Sequence, residues 1–342
     1  MKPRAKRKIT IRDVAELVDV HHSTVSRALS PNKRDQISPA VVKKVEKAAE
    51  QLGYFPNLVA SSLKQNRSFA VGVLVPDLTN PVFPPIIRGI QDTAEAAGLT
   101  VITANTDDEE AKERSALKTM QGRSIDGIII ATALREDPIV EECIRNEIPF
   151  VLVNRTVDRD DVNAVVIDEQ FGINSILEHL IGLKHRRIAH IAGPDHTSTG
   201  HERAAAFAAY LNSKGLPSDL IETTEKFTIE EGRRGLRRLL ARDNTCTAVV
   251  ASNDLLALGC MDEMKELGML VPDNMSISGY DDIQFLERMN PALTSVLVPK
   301  YEMGSQATKI LLNMLEGKST SPVLQRMRPR LVVRNSTATA SR

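Results

Sequence analysis

The sequence predicts an α/β core of two doubly wound parallel-sheet lobes, preceded by an N-terminal all-α helix-turn-helix domain. Three short amphipathic helical patterns open the chain, and strand-like and helical segments alternate from Phe69 onward. The alternating part spans about 270 residues, which exceeds a single sheet of this kind and favours two lobes.

The charge of the chain is divided between the same two parts. Residues 1–67 contain 14 Lys+Arg and 6 Asp+Glu, a net charge of +8, and the remainder carries −8 in a chain whose total is zero. This asymmetry predicts a module for nucleic acid or an anionic surface, joined to an acidic body.

Composition excludes several protein classes. Hydrophobic residues make up 42% and charged residues 26%, as in ordinary globular proteins. Cys143, Cys246 and Cys260 form no close pair, which argues against a disulfide framework and fits a reducing compartment. The basic start MKPRAKRK is not followed by an apolar stretch, and the apolar run at residues 128–131 is only strand-sized. We therefore expect a cytoplasmic protein without membrane contact, whose first eight residues are a basic tail that is solubilising or weakly contacts phosphate.

The basic module has the pattern of a helix-turn-helix. Apolar spacing predicts a first helix over residues 11–19, with Thr10 and Asp13 resembling a capping box. A second helix follows over residues 22–29, and Ser38-Pro39 starts a third that ends at Gly53. The second helix of such a unit enters the major groove of DNA.

The outer face of the second helix is polar. His22, Ser23 and Arg27 are not needed for the core, and Arg27 could pair with guanine or hold a phosphate. Thr24 and Ser26 are interpreted as phosphate contacts or helix-packing hydroxyls. Asn32, at the end of this helix, completes the predicted headpiece contacts. The alternative is a solvated bundle without a ligand, which the +8 charge disfavours.

Residues 57–67 predict a short hinge between a headpiece at 1–56 and a core at 68–342. Asn57 after Pro56 is a good N-cap, but two turns of helix are marginal alone. Leu63 has no evident local core. It is either a wedge for the minor groove or a linker residue packed on the next domain, and spacing leaves both open.

The sequence of the acidic body predicts alternating strands and helices. Strand-like runs are predicted at residues 70–75, 99–103, 127–131, 150–153, 164–167, 188–191, 248–251, 276–279 and 294–298. Helical patterns lie between most of them, at residues 84–97, 110–121, 172–182, 202–214, 229–241 and 254–267.

Polar residues follow several of these strands, where open α/β sheets bind ligands. They are Asp77, Asn80, Asn154, Arg155, Asp168, Asn253, Asp254, Asp281 and Asp282, together with Arg203 at the opening of a helix. Their donors and acceptors suit a polar or polyhydroxylated small molecule. Helix capping is the alternative; it fits Asp168 and Asp254, whereas Arg203, Asn253 and Asp281 fit a ligand better.

No enzyme motif is evident. The sequence lacks a G-x-S-x-G elbow, a Walker loop, a G-x-G-x-x-G after the first strand and an H-E-x-x-H. His196 and His201 flank a loop, but no Cys or second carboxylate stands at ligand spacing. We expect no catalytic site, no metal and no cofactor.

The chain resembles the lactose-repressor (LacI/GalR) family of bacterial transcription regulators over residues 9–335. The motifs that carry the resemblance are ITIRDVAELVDVHHSTVSRALS, LGYFPNLVASSLKQNRS, VGVLVPDLTNPVF, IDGIII, HRRIAHIAGP, ASNDLLALG and SISGYDD. The resemblance implies a helix-turn-helix headpiece, a hinge helix and a periplasmic-binding-protein-like core. It also implies a homodimer on palindromic double-stranded operator DNA, with a small effector in the interlobe cleft.

The resemblance assigns residues as well. Base-reading positions fall on His22, Ser23 and Arg27, and the intercalating hinge leucine falls on Leu63, which favours the wedge. Arg203 and Asp281 correspond to polar clamps, and Phe83 and Phe227 to apolar walls. The implied effector positions are Asp77, Asn80, Phe83, Asn154, Arg155, Arg203, Phe227, Asn253 and Asp281.

The sequence departs from the family pattern in places. His21 stands where the family commonly has Ser, which puts the cap of the second helix in doubt, and the pair His21-His22 could make DNA binding pH-sensitive. Ser61 replaces a frequent Arg in the hinge, removing one phosphate contact. The C-terminus RLVVRNSTATASR has no leucine heptad, so a dimer rather than a tetramer is expected.

These observations predict a ligand-responsive, sequence-specific regulator, a repressor, whose effector is a sugar or sugar derivative. The alternatives are a regulator controlled by a nucleobase-like metabolite or by a partner protein. A periplasmic-type solute-binding protein is disfavoured by the basic headpiece and by the expected absence of an export signal.

Overall fold

The computed structural model describes residues 9–29, 34–54, 67–318 and 321–340. The chain divides into two compact units, Met1–Phe69 and Ala70–Arg342, and each is described by itself. The basic tail, Asn32, Ser61 and Leu63 lie outside the described residues, as does most of the predicted hinge.

The first unit contains three helices around a small aliphatic core. They are α1 (Ile11–Val18), α2 (His22–Ala28) and α3 (Pro39–Leu52), with a 3-10 turn at Arg34–Gln36 before α3. The capping box at α1 is confirmed, since the Thr10 amide and hydroxyl both donate to Asp13, each at 2.7 Å. Val14, Val25 and Val45, one from each helix, are fully buried together. The predicted apolar faces therefore form the helix-turn-helix core.

The second unit alternates strands and helices in chain order. Its strands are β1 (Ala70–Val75), β2 (Thr100–Asn105), β3 (Gly127–Ile130), β4 (Phe150–Val153), β5 (Ala164–Ile167), β6 (Ile188–Ala192), β7 (Ile221–Thr223), β8 (Ala248–Ala251), β9 (Ser276–Asp281), β10 (Thr294–Leu297), β11 (Leu324–Met327) and β12 (Arg330–Val332). Its helices are α4 (Phe83–Ala96), α5 (Glu110–Gly122), α6 (Pro138–Arg145), α7 (Glu169–Gly182), α8 (Ser198–Ser213), α9 (Ile229–Arg242), α10 (Asp254–Glu266) and α11 (Lys300–Leu315), and a 3-10 turn covers Leu286–Arg288.

Two six-stranded sheets form two lobes. The first has the order β11-β5-β4-β3-β1-β2, and the second has the order β12-β10-β9-β8-β6-β7. The central strands β3, β4, β5 and β8 are wholly buried, because helices cover both faces of each sheet. The predicted architecture of two doubly wound lobes is confirmed.

One strand departs from the parallel pattern. β12 pairs antiparallel with β10, with Val296 opposite Leu331. The chain leaves β11 at its carboxyl end and enters the second sheet after two intervening residues, so β12 runs against the other strands. The edge strands β7, β11 and β12 are absent from the predicted set, because their partly exposed residues form no continuous apolar run.

Several helix starts also differ from prediction. α7 begins at Glu169 and α8 at Ser198, ahead of the apolar periodicity that placed them at 172 and 202. The caps explain this. The Asp168 carboxylate accepts from the Phe171 amide at 3.0 Å, and the Thr197 hydroxyl accepts from the Gly200 amide at 3.1 Å. Arg203 consequently lies one turn inside α8 rather than at its opening.

The described helices were compared with the length and apolarity that a bilayer requires. Within residues 9–29, 34–54, 67–318 and 321–340, none is both long enough and apolar enough to span a membrane.

Candidate functional site

The outer face of α2 is available for contact within the first unit. His22, Ser26 and Arg27 are exposed, and Ser23 and Thr24 are partly exposed. Val25 and Ala28 are buried between them against α1 and α3, which holds the polar face outward. The structure thus places the described members of the predicted DNA-binding set on one accessible short helix.

His21 serves as the N-cap of α2. Its Nδ1 accepts a hydrogen bond from the Ser23 amide at 3.3 Å and lies 2.8 Å from the Ser23 hydroxyl. The imidazole therefore replaces the usual hydroxyl cap, provided that Nδ1 carries no proton. The His21 and His22 rings lie 4.1 Å apart.

The pH sensitivity of DNA binding stays a prediction. The His21 side chain is the acceptor of this cap, and a lost cap costs about 1 kcal/mol of helix stability. We expect operator affinity to differ between mildly acid and mildly basic buffer, and the difference to shrink in His21→Ser, which caps through a hydroxyl. Titration of labelled operator at fixed salt measures this. Equal affinity of the unsubstituted chain in both buffers contradicts it.

A polar cleft lies between the two lobes of the second unit. It encloses about 310 Å³ of non-atom space, part of which is open to solvent. Residues that follow parallel strands of both sheets line it, such as Asn154 after β4 and Asn253 after β8. The lining residues are Asn80, Val82, Phe83, Asn154, Arg155, Thr199, Arg203, Phe227, Asn253 and Asp281.

Arg203 is the most heavily bonded side chain of the cleft. Its Nε and one terminal nitrogen donate to the two carboxylate oxygens of Glu169 at 2.8 and 2.9 Å. Its other terminal nitrogen donates to the Ser252 carbonyl at 2.6 Å, and the guanidinium lies 3.8 Å over the Tyr280 ring. Burial alone lowers the pKa of Arg203, but the carboxylates of Glu169 and Asp281 raise it above its usual value. The guanidinium is therefore held rigidly in its charged form.

Asp281 faces Arg203 from the end of β9. One carboxylate oxygen lies 3.6 Å from Arg203, and the residue adopts a φ of 101°, which is unusual for a residue other than glycine. The Lys300 ammonium donates to the carbonyl of Asp281 and, at 3.3 Å, to that of Asp282. Burial raises the pKa of Asp281 to about 6, although Arg203 and Lys300 oppose the shift.

The opposite lobe contributes Asn154 and Arg155. The Arg155 side chain is nearly buried and donates to the Asp108 carboxylate at 3.0 Å. Asn154 has a φ of 69°, which turns the chain sharply at the end of β4. The two lobes also bond directly beside the cleft, where the Thr156 amide donates to the Ser198 hydroxyl at 2.9 Å.

Aromatic residues cover two sides of the cleft. Phe83 is buried at the start of α4, and Phe227 is partly buried before α9. Gly193 permits the position of Phe227, because a Cβ at residue 193 would lie 2.2 Å from its ring. Apolar faces of this kind can stack against the carbon face of a sugar-like ring.

The structure brings eight of the nine predicted effector residues to the cleft lining. Asp77 is the exception, because its carboxylate accepts from the Thr79 amide and hydroxyl at 2.8 and 2.7 Å and closes a local turn. Asn253 combines two roles, since it lines the cleft and caps α10 through the Leu256 amide.

Other residues at the cleft had no sequence signal. Val82 and Thr199 join the lining, and Glu169 pairs with Arg203 behind it. Asp254 is not a cap as proposed, because its carboxylate accepts from Ser295 and from the Ile283 amide. Among the described residues, no group of His, Cys, Asp and Glu is arranged to hold a metal ion.

Comparisons with known proteins cover both units. Residues 10–57 match the family described as bacterial regulatory proteins, lacI family, and residues 177–337 match the periplasmic binding protein-like domain. The ribose operon repressor of Halalkalibacterium halodurans is 33% identical over 96% of this chain and 97% of its own length.

Solved structures agree with these matches. The lac repressor dimer bound to operator and the anti-inducer ONPF is 27% identical, covers 97% of this chain and all of its own, and gives a TM-score of 0.85. A LacI family regulator from Enterococcus faecium with bound ribose is 31% identical, covers 79% of this chain and 99% of its own, and gives a TM-score of 0.69.

Proposed function

This chain belongs to the lacI family of bacterial regulatory proteins, and we propose that it is a repressor whose affinity for a palindromic operator is controlled by a sugar bound in the interlobe cleft. It is a DNA-binding regulator rather than an enzyme, as its relatives are. We propose that it acts in the cytoplasm as a homodimer, each subunit reading one half-site.

The DNA part of the proposal rests on α2. Its exposed polar face lies on a helix of the length that enters the major groove, and the dimer of the lac repressor is bound to operator. We propose that His22, Ser23 and Arg27 contact bases and that Thr24 and Ser26 contact phosphates. The proposed roles of Asn32 and Leu63 concern residues outside the described part of the chain.

Arg27→Ala should weaken operator binding by about 1–3 kcal/mol if Arg27 pairs with a guanine. Specificity should relax at that single position, because one bidentate base contact is lost. The effect is measured by titrating both proteins, at fixed salt, against an operator selected from random DNA and against its single-base variants.

Lys47→Ala is the matched control, since Lys47 is an exposed cation on α3 of the same unit, outside the proposed contact set. It should leave base preference unchanged. If Arg27→Ala weakens all sequences equally, Arg27 is a phosphate contact instead.

The effector part rests on one observation, which is the polar cleft between two lobes with aromatic walls and opposed Arg203 and Asp281. A guanidinium donates and a carboxylate accepts, so the pair can hold neighbouring hydroxyls of one ring. Related regulators named for ribose, or holding ribose, make a sugar the leading class.

The control of DNA binding follows from thermodynamic linkage. A sugar that favours one lobe arrangement shifts the population of that state, and operator and sugar must then change each other's affinity by the same factor. Calorimetry of the full chain against free sugars, including ribose, with and without operator, tests this. A sugar that binds identically in both cases contradicts the proposed control and favours a solute-binding protein.

A further inference from the structure

We propose that the cleft selects an uncharged polyhydroxylated effector, such as a free sugar, over a phosphorylated or carboxylated one, and that Glu169 determines this preference. The inference rests on the proposed function, because it concerns the ligand of the same cleft. It specifies that the ligand is uncharged, and it assigns a role to Glu169, which is not among the lining residues.

The cleft lining by itself suggests a site for anions. It contains two cations, Arg155 and Arg203, and a single acid, Asp281. Arginine binds carboxylates and phosphates through paired N–H donors, so two guanidinium groups facing one cavity are a usual arrangement for such ligands.

Glu169 changes this arrangement. It is the first residue of α7, is 3% exposed, and offers both carboxylate oxygens to Arg203 at 2.8 and 2.9 Å. This bidentate pair occupies the Nε edge of the guanidinium, one of the edges through which an arginine can bind a phosphate. It also neutralises the Arg203 charge within the protein.

Arg155 is compensated in the same way, and Lys300 is bonded to backbone carbonyls. Arg155 is paired with Asp108 at 3.0 Å. The Lys300 ammonium is directed at the carbonyls of Asp281 and Asp282. Each lining guanidinium therefore has a carboxylate partner already.

An incoming anion would gain little in this environment. It must lose its hydration shell, and a buried charge is stable only when an opposite charge compensates it. The guanidinium groups of Arg203 and Arg155 are already paired with Glu169 and Asp108, and the Asp281 carboxylate would repel an anionic ligand. A neutral sugar avoids this cost, because its hydroxyls donate to Asp281 and Asn253 and accept from remaining guanidinium N–H groups.

Glu169→Gln tests the role directly, because the amide keeps the size of the side chain and removes its charge. The full-length variant should bind inorganic phosphate about tenfold more tightly than the unsubstituted chain, the change expected when one charge is left uncompensated. Phosphate-dependent thermal shift and calorimetry report the affinity. The unsubstituted chain should also bind ribose more tightly than ribose 5-phosphate.

Glu263→Gln is the matched control. Glu263 on α10 is equally buried and bonds Arg237 in the same bidentate way, with both distances 2.8 Å, but it does not line the cleft. Its substitution should leave phosphate affinity unchanged. An equal gain in both variants would attribute the effect to general charge and overturn the role of Glu169.

Four further outcomes bear on the inference or on the proposed function. A Glu169→Gln protein that folds but gains no phosphate affinity overturns it. So does tighter binding of ribose 5-phosphate than of ribose by the unsubstituted chain, a comparison that also decides the matter if the variant does not fold. Release of operator by a sugar phosphate but not by its free sugar would overturn the inference and leave the proposed function intact. Lack of response to any sugar, free or phosphorylated, would instead defeat the proposed function.

Discussion

Arg203→Met should lower the free energy of unfolding of the two-lobed unit by about 3–5 kcal/mol, the cost of removing one partner from a buried ion pair. Arg203 is 3% exposed, and its guanidinium compensates Glu169 and Asp281, which are equally buried. Methionine fills much of the volume but leaves the Glu169 carboxylate without its cation and Asp281 with only the Lys300 ammonium nearby. The substitution should also abolish effector binding.

Urea denaturation of the full chain, followed by circular dichroism, measures this loss. Arg326→Met is a suitable control, because Arg326 pairs with Glu202 at 3.1 Å while both side chains remain substantially exposed, and such pairs contribute at most about 1 kcal/mol. The double variant Arg203→Met/Glu169→Met should recover part of the stability, since it removes one uncompensated charge. A loss below about 1 kcal/mol in Arg203→Met would contradict the assigned role.

Acid should destabilise the second unit through His190, by about 3 kcal/mol as the pH falls from 6.5 to 4. His190 lies fully buried in β6, where its Nδ1 bonds the Val250 carbonyl at 2.7 Å and its ring stacks on Phe207. Its Nε2 has no hydrogen-bond partner. Burial lowers the pKa of His190 to about 4, because a proton on Nε2 would carry charge into the core.

The sign follows from the two states. The unfolded chain takes up a proton near pH 6.5, whereas the folded chain resists it down to about 4, so stability present above 6.5 is lost as the pH falls through this window. Glu113 and Asp281, whose pKa values burial raises to about 7 and about 6, act in the opposite direction. The comparison must therefore be between proteins that differ only at His190.

His190→Gln provides that comparison, since glutamine is neutral and can still donate to Val250. The unfolding free energy of each protein is measured at pH 7 and pH 5, and the unsubstituted chain should lose more of it. Equal losses would show that His190 titrates in the folded protein much as it does in the unfolded chain.

The elements that the sequence predicted correctly are those with strong local signals. The helices of the first unit have regular apolar faces, and β4, β5 and β8 are continuous apolar runs. The edge strands β11 and β12 carry no such run, because an edge strand is partly exposed and its pairing comes from a distant strand. α6 and α11 were also missing from the predicted helices, and α11 owes its place to packing on the first sheet, far from its neighbours in sequence.

The same division holds at the cleft. Residues placed directly after strands, such as Asn154 and Asn253, could be predicted because all parallel strands end at one edge of a sheet. Asp77 follows a strand too, yet a local turn uses its carboxylate, an outcome that depends on the rotamer and not on position. Thr199 could not be predicted, because the start of α8 was placed four residues too late.

By itself, the sequence determined the basic headpiece, the alternation of strands and helices, and the residues available to bind a ligand, since these depend on local composition and periodicity. Only the tertiary structure decided which charges meet. Glu169 and Arg203 are 34 residues apart on different helices, and folding buries them as a bidentate pair. Electrostatic pairing depends on distance and burial in space, neither of which spacing along the chain specifies. The zero net charge of the chain is therefore a sum, whereas the charge that a ligand meets in the cleft is set by these contacts.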